Sequence, residues 1–244
     1  MPLDSTIAIT RPRRFALLVF ALEVTTDLVA RRWPRRLAPL LKPSFRSHRG
    51  NSQVDVHFFT DRPWSSRLTQ SVDAQVHLQN GRDFGERLYN AVEVLAADGY
   101  EEIIVVGGDC PELSEEDISG AVAKLSEVDV VLGPDHRGGT YLIGFHAADR
   151  RLIELVVWQR NTDCRQLQSL YAGRPVFLLS PKIDLDTWSD LQFLARREGA
   201  LHRWLARQLA ILIGRVRATS DHRVDVARQR ERSRYLTSPP VLAA

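Results

Sequence analysis

Ile103-Ile104-Val105-Val106-Gly107-Gly108-Asp109 decides how the rest of this chain is read. Four consecutive β-branched residues make a strand covered on both faces, and two glycines end it at a carboxylate. Phe15-Ala16-Leu17-Leu18-Val19-Phe20 is a second unbroken apolar run, and Val54-Asp55-Val56-His57-Phe58-Phe59 alternates before stopping at Thr60-Asp61. Ala74 to Leu78, Val130 to Leu132, Tyr141 to Phe145 and Val176 to Leu179 supply weaker strands. Helices are predicted between them. Arg35 to Leu41 makes a short one before Pro43. Phe84 to about Ala97 follows, with Asp83 as N-cap, Glu86 in the capping-box position and Gly99 closing it. Ser114 with Asp117 opens the next, whose Ile118, Ala121, Val122 and Leu125 have helical spacing. Asp163 to Tyr171 and Leu191 to Arg196 complete the set, the last capped by Thr187 with Asp190. Strands alternating with helices predict an α/β domain: a mostly parallel sheet with helices on both faces.

At 244 residues the chain is at the upper edge of a single domain. Residues 1–200 are expected to form it, and 201–244 a separate tail. That tail opens on an amphipathic helix with Leu201, Trp204, Leu205, Leu209 and Leu212 on one face, then turns arginine-rich. The apolar and charged fractions, 44% and 26%, are those of an ordinary globular protein. Cys110 and Cys164 are too few for a disulfide framework or a zinc site. Phe15 to Leu22 after Arg13-Arg14 has the look of a short signal peptide, but Glu23 ends it and no small-residue cleavage site follows. No apolar run approaches the roughly 20 residues of a membrane span, so a cytoplasmic protein is expected. The formal charge is only +3, yet arginines crowd both ends, Arg11 to Arg36 and Arg203 to Arg234. Without interleaved aromatics this reads as a solvated face rather than a nucleic-acid surface. Nothing in the sequence indicates an oligomeric state.

Ligands of parallel α/β sheets bind outside the carboxyl ends of the strands. Asp109 lies at such an end, where Gly107 and Gly108 let backbone approach a ligand. Asp184-Leu185-Asp186-Thr187 follows the last strand and brings further carboxylate to that edge. Magnesium commonly takes one or two carboxylates plus phosphate oxygens. Gly81-Arg82-Asp83-Phe84-Gly85-Glu86-Arg87 opens a helix beside two arginines, a setting for an anionic group, although its acids also suit ordinary capping. Gly133-Pro134-Asp135-His136-Arg137-Gly138-Gly139 is a turn able to line a substrate, with His136 a candidate base or simply a solvated side chain. Trp158 suits either stacking on a ring or the core.

Three blocks together resemble a known bacterial family. They are Gln79 to Leu88, Val105 to Leu113, and Gly138-Gly139-Thr140-Tyr141-Leu142-Ile143-Gly144. The family is glycosyltransferase-like, of the type associated with radical-SAM proteins, and similar to 2-phospholactate guanylyltransferase and the molybdenum-cofactor nucleotidyltransferases. The resemblance spans roughly Val54 to Leu194. It implies a Rossmann-like GT-A domain and a magnesium- or manganese-dependent transferase using a nucleotide or nucleotide sugar and a small-molecule acceptor. By it Asp109 is the catalytic, metal-holding acid, and Asp186 is the second metal acid of a D-x-D-T-x-x-D-L pattern kept in Asp184 to Leu191. Gly138 and Gly139 match the acceptor-side turn, with His136 and Trp158 beside it. Gly81, Arg82, Arg87, Gly107 and Gly108, with Arg35 and Arg36, are the expected nucleotide side. The chain departs from the pattern in four places. Ala21 to Trp33 carries no glycine where the family has a glycine- and lysine-bearing loop, and only Arg35-Arg36-Leu37-Ala38-Pro39 resembles its end. Leu41 to Val54 is too short for the family's next helix. Arg137 replaces an acid, and Trp158-Gln159-Arg160 replaces W-S-T. The departures leave open a second class, a non-catalytic α/β module that binds an anion or a protein.

Overall fold

The computed structural model describes residues 14–41, 54–63, 74–197, 199 and 201–211. The chain divides into two compact units, Met1–Asp186 and Thr187–Ala244. The first is a Rossmann-like α/β domain. Its seven strands are β1 (Phe15–Phe20), β2 (Val54–Thr60), β3 (Gln75–Leu78), β4 (Glu102–Gly107), β5 (Val130–Pro134), β6 (Thr140–His146) and β7 (Val176–Leu178). They lie in the order β3-β2-β1-β4-β6-β5-β7. All adjacent pairs are parallel except those of β6, which runs antiparallel to both β4 and β5.

Continuous burial of β1 follows from its central place and its unbroken apolar run. Helix α2 (Phe84–Ala97) lays Leu88, Ala91, Val92 and Leu95 against one side of the sheet. There they meet Ala16, Leu18, Ile103 and Val105, joined by Leu167 of α5 (Asp163–Leu170). The opposite side is reached by α3 (Glu115–Lys124): its C-cap Leu125 comes so close to Gly144 that an added Cβ would stand 3.2 Å from Leu125 Cδ1. The Ser114–Asp117 capping box is present in full. That of α2 is not. Asp83 caps Glu86 N at 2.9 Å, but the Glu86 carboxylate turns to Arg82 instead, 3.0 Å from its N and 2.8 Å from its Nε.

Two α-helices were not expected. Helix α1 (Val24–Ala30) occupies most of the stretch read as a glycine-free loop. Its end is a Schellman motif: Trp33 N bonds Leu28 O at 2.8 Å and Arg32 N bonds Val29 O at 3.1 Å. Arg32 sits at φ 55°, where glycine is usual, so the turn was invisible to a search for glycine. The short α4 (Arg151–Glu154) was also missed.

In the second unit α6 (Trp188–Ala195) carries the full Thr187–Asp190 capping box. A further helix, α7, spans 201–211, with Leu205 and Leu209 buried. The arginine-rich stretch from 212 onward and the arginines before Arg14 lie outside the described residues. No helix among the described residues is long and apolar enough to cross a membrane.

Candidate active site

Strand order reverses between β1 and β4, and the crevice outside their carboxyl ends is where such folds bind ligands. A cavity of about 410 Å³ opens there. Its apolar wall includes Phe20 at the end of β1, Phe84 and Leu88 of α2, and Trp158. Among the described residues its polar side carries five aspartates, Asp109, Asp135, Asp163, Asp184 and Asp186, against one lining arginine, Arg137.

Each acid is placed by the backbone around it. Asp109 folds back over the end of β4, where a Cβ on Gly107 would lie 2.6 Å from its Oδ1 and would push the carboxylate aside. Leu185 N bonds Asp109 O at 3.0 Å, tying the segment that bears Asp184 and Asp186 to the β4 loop. Arg31, at the end of α1, then reaches in. Its Nη2 donates to Asp109 Oδ2 at 2.7 Å, its Nη1 to Asp186 Oδ1 at 3.2 Å and to Leu185 O, and its Nε to Asp27 Oδ1 at 2.6 Å. Burial alone would lower the Arg31 pKa, but Asp109 and Asp27 raise it, so it stays charged. Arg137 Nη2 holds the other oxygen of Asp186.

Asp184 lies beside this arginine-held pair. Its Oδ1 is shut off from solvent without a hydrogen-bond partner. Burial first, then the charge of Asp109 and a hydrogen bond shared with it, push its carboxyl well above the ordinary range. Asp135 is the opposite case: its Oδ1 accepts from the backbone N–H groups of Arg137, Gly138 and Gly139 at 2.6, 2.7 and 2.8 Å. It therefore builds the β5–β6 turn. Asp163, buried at the start of α5, also has an unpartnered Oδ1, and burial raises its pKa despite backbone N–H bonds from Arg160 and Gln159. Between Trp158 and Asp163 the chain is strained. Gln159 and Asn161 line the cavity at φ 62° and 55°, a conformation that costs on the order of 1–3 kcal/mol and gathers at functional sites.

Of the residues singled out in the sequence, the cavity lining contains Asp109, Asp186, Gly107, Gly139 and Trp158. Gly138, at φ 103°, supports that wall: a Cβ on it would stand 2.4 Å from Asn161 O. The Trp158 ring lies 5.8 Å from that of Phe84, and its Nε1 is spent on Ile153 O at 3.2 Å. It also borders a second groove of about 560 Å³, where Arg82 is found. Apart from Gly107, the expected nucleotide side does not line the first cavity. Arg82 is 90% exposed at its side chain and paired with Glu86, and Arg87 Nε bonds Asp83 O at 3.0 Å. Gly81, at φ 143°, makes the turn before α2, and Gly108 packs against Ala21. Arg35 and Arg36 stand on a 3-10 turn, Arg35–Leu41, and His136 is exposed; none of the three lines the cavity. Arg31, Asp135 and Asp163 were not singled out as site residues. Cys110 is a buried free thiol whose pKa burial pushes up.

A model of a family described as an uncharacterized protein conserved in bacteria (DUF2064) matches residues 46–160, just under half of the chain. No functionally curated protein matches the sequence. Among solved structures, one from Desulfovibrio desulfuricans G20, nominally a nucleotide-diphospho-sugar transferase, aligns with TM-score 0.63. It is 22% identical over 83% of this chain and 98% of that one. The 4-diphosphocytidyl-2C-methyl-D-erythritol synthase of Anaerococcus prevotii DSM 20548 aligns with TM-score 0.50 and 10% identity over 75% and 97% of the two chains. These likenesses show the fold. They do not single out the narrower family of the sequence resemblance.

Proposed function

We propose that this chain is a transferase acting on a nucleotide-activated substrate, moving either a glycosyl group from a nucleotide sugar or a nucleotidyl group from a triphosphate. One observation carries the reading: the acid-lined cavity at the switch point, where Asp109, Asp184 and Asp186 arrive from two separate strand ends. Phosphate is repelled by such a lining unless a cation accompanies it. Among the described residues no three Asp, Glu, His or Cys side chains stand ready as a metal site. The acids nonetheless fit a hard cation, because buried Asp184 Oδ1 lacks any partner and its carboxyl crowds that of Asp109. Asp109, with Asp186 and Asp184, would hold magnesium or manganese, which when bound supplies neutralising charge to the leaving phosphates.

The chain's own groups do the rest. Asp135 fixes the Gly138-Gly139 turn, from whose side the acceptor hydroxyl or phosphate enters. Phe20, Phe84 and Trp158 exclude water from the opposite wall and offer a ring something to stack on. The test is a thermal-shift panel of nucleoside phosphates and nucleotide sugars with and without magnesium. A ligand at a hundred times its Kd stabilises by about 2.7 kcal/mol. If no nucleotide stabilises the protein in either condition, the transferase reading fails. The alternative, a non-catalytic module, is favoured by one feature: arginines already hold both Asp109 and Asp186.

A further inference from the structure

Three oxygens at the sheet edge are occupied before any ligand arrives. Arg31 holds Asp109 Oδ2 and Asp186 Oδ1, and Arg137 holds Asp186 Oδ2. The Arg31 guanidinium is not a loose surface group swept in by chance. Only 14% of its side chain is exposed. Asp27, one turn earlier on α1, grips its Nε at 2.6 Å, and the Schellman turn at Arg32 and Trp33 fixes the helix end that bears it. Buried Leu28 and Trp33 anchor that turn. The guanidinium plane therefore stands between Asp109 and Asp186, with Leu185 O completing its ring of acceptors.

We propose that Arg31 is a resident cation that competes with a divalent metal for Asp109 and Asp186. The inference rests on the reading of those two acids as the cation-holding pair, not on the identity of any nucleotide. The argument is one of space and of charge. A magnesium ion bonds carboxylate oxygen at about 2.0–2.1 Å. A guanidinium nitrogen 2.7 Å from Asp109 Oδ2 crowds the approach to that oxygen and sets a like charge beside any entering cation, so the two compete for it. Meanwhile Asp184 keeps an oxygen that no protein group satisfies, although it lies against Asp109. Arg31 and Arg137 thus hydrogen-bond two of the three acids and leave one oxygen of the third without a donor. A compact ion taking Asp109 and Asp186 would require the guanidinium to let go. Arg31 thereby sets both the metal affinity of the site and the condition for loading it.

The test uses manganese alone as the probe, its binding followed by the loss of the free-ion electron paramagnetic resonance signal. Arg31→Gln should bind manganese at least tenfold more tightly than the unaltered chain. Arg32→Asn removes the same charge one residue away, at an exposed position with φ 55° that suits asparagine, and should give no such gain. Adding Asp109→Asn to Arg31→Gln should abolish the gain. Should Arg31→Gln fold poorly, Arg31→Lys serves in its place, because one ammonium cannot span both acids and affinity should rise partway. Equal manganese binding by the unaltered chain and the Arg31 variants, tight or absent, overturns the proposal. So does an equal gain in Arg32→Asn, which would reduce the effect to bulk charge. A gain confined to Arg31 variants in a protein that answers to no nucleotide keeps the competition and removes the transferase reading, so the two failures are distinguishable.

Discussion

His57 shows how a single buried residue ties stability to pH. It is 1% exposed on β2, with its Nδ1 3.1 Å from His77 Nε2 and its Nε2 3.0 Å from the Tyr100 hydroxyl. Tyr100 gives its one proton to Asp55 at 2.7 Å, so it must accept from His57 Nε2–H. His57 Nδ1 is then the acceptor for His77 Nε2–H, and neutral His57 satisfies every partner. A second proton on His57 would set two donors face to face. Burial, then His77, accordingly lowers its pKa from 6.5 to about 4; Asp55 and Asp98 resist and Arg14 adds to the shift. Because the folded pKa lies below the unfolded one, the unfolded chain binds the proton first. Stability is therefore full above about 6.5 and falls as pH drops towards 4, by up to about 3 kcal/mol. His57→Gln should flatten the melting-temperature profile across that window, even if it lowers stability at neutral pH. An unchanged slope in the variant would show that other groups carry the acid sensitivity.

At the scale of elements, the β5–β6 turn is where folding and the site share one atom. Asp135 Oδ1 satisfies three successive backbone N–H groups at the mouth of the cavity. Asp135→Ala strands all three and should cost on the order of 2–4 kcal/mol in denaturant unfolding, whereas Asp135→Asn keeps an acceptor and should cost about 1 kcal/mol. Equal losses in the two variants would mean that the charge, and not the turn, is what matters. Periodicity revealed all seven strands and the capped helices, because those elements are set by local burial and by Ser, Thr or Asp at their starts. Helix α1 escaped because its cap is Glu23, its first turn is Val24-Thr25-Thr26 and its closing residue is arginine, each a poor local signal. Four-residue α4 completes barely one helical period. The site divides the same way. Asp109 and Gly107 are legible because a strand end announces them. Arg31 is not, since its partners Asp109 and Asp186 lie 78 and 155 residues along the chain and meet it only through packing.

Over the whole molecule, charge distinguishes two places where the proposed nucleotide could bind, and they should behave oppositely. The chain is basic, with a pI near 9.1 and arginines gathered towards both ends of the sequence. The cavity is acidic, with five lining aspartates and one lining arginine. Arginine-rich ends attract phosphate without help, and that attraction is screened once salt brings the Debye length to about 10 Å or less. On the proposed reading the cavity would repel phosphate by itself and accept it only together with a divalent cation. Partly buried, short-range contacts there are screened far less. If the cavity is the binding site, nucleotide affinity should vanish when metal is chelated and should change little between about 0.05 and about 0.3 M salt. Heparin should not compete, and neutralising exposed Arg203 and Arg207 on α7 should leave affinity intact. Isothermal titration of a nucleoside diphosphate under these conditions separates the two places. Binding that persists in chelator, falls steeply with salt and yields to heparin would assign the phosphates to the basic ends and leave the aspartate cavity without a nucleotide.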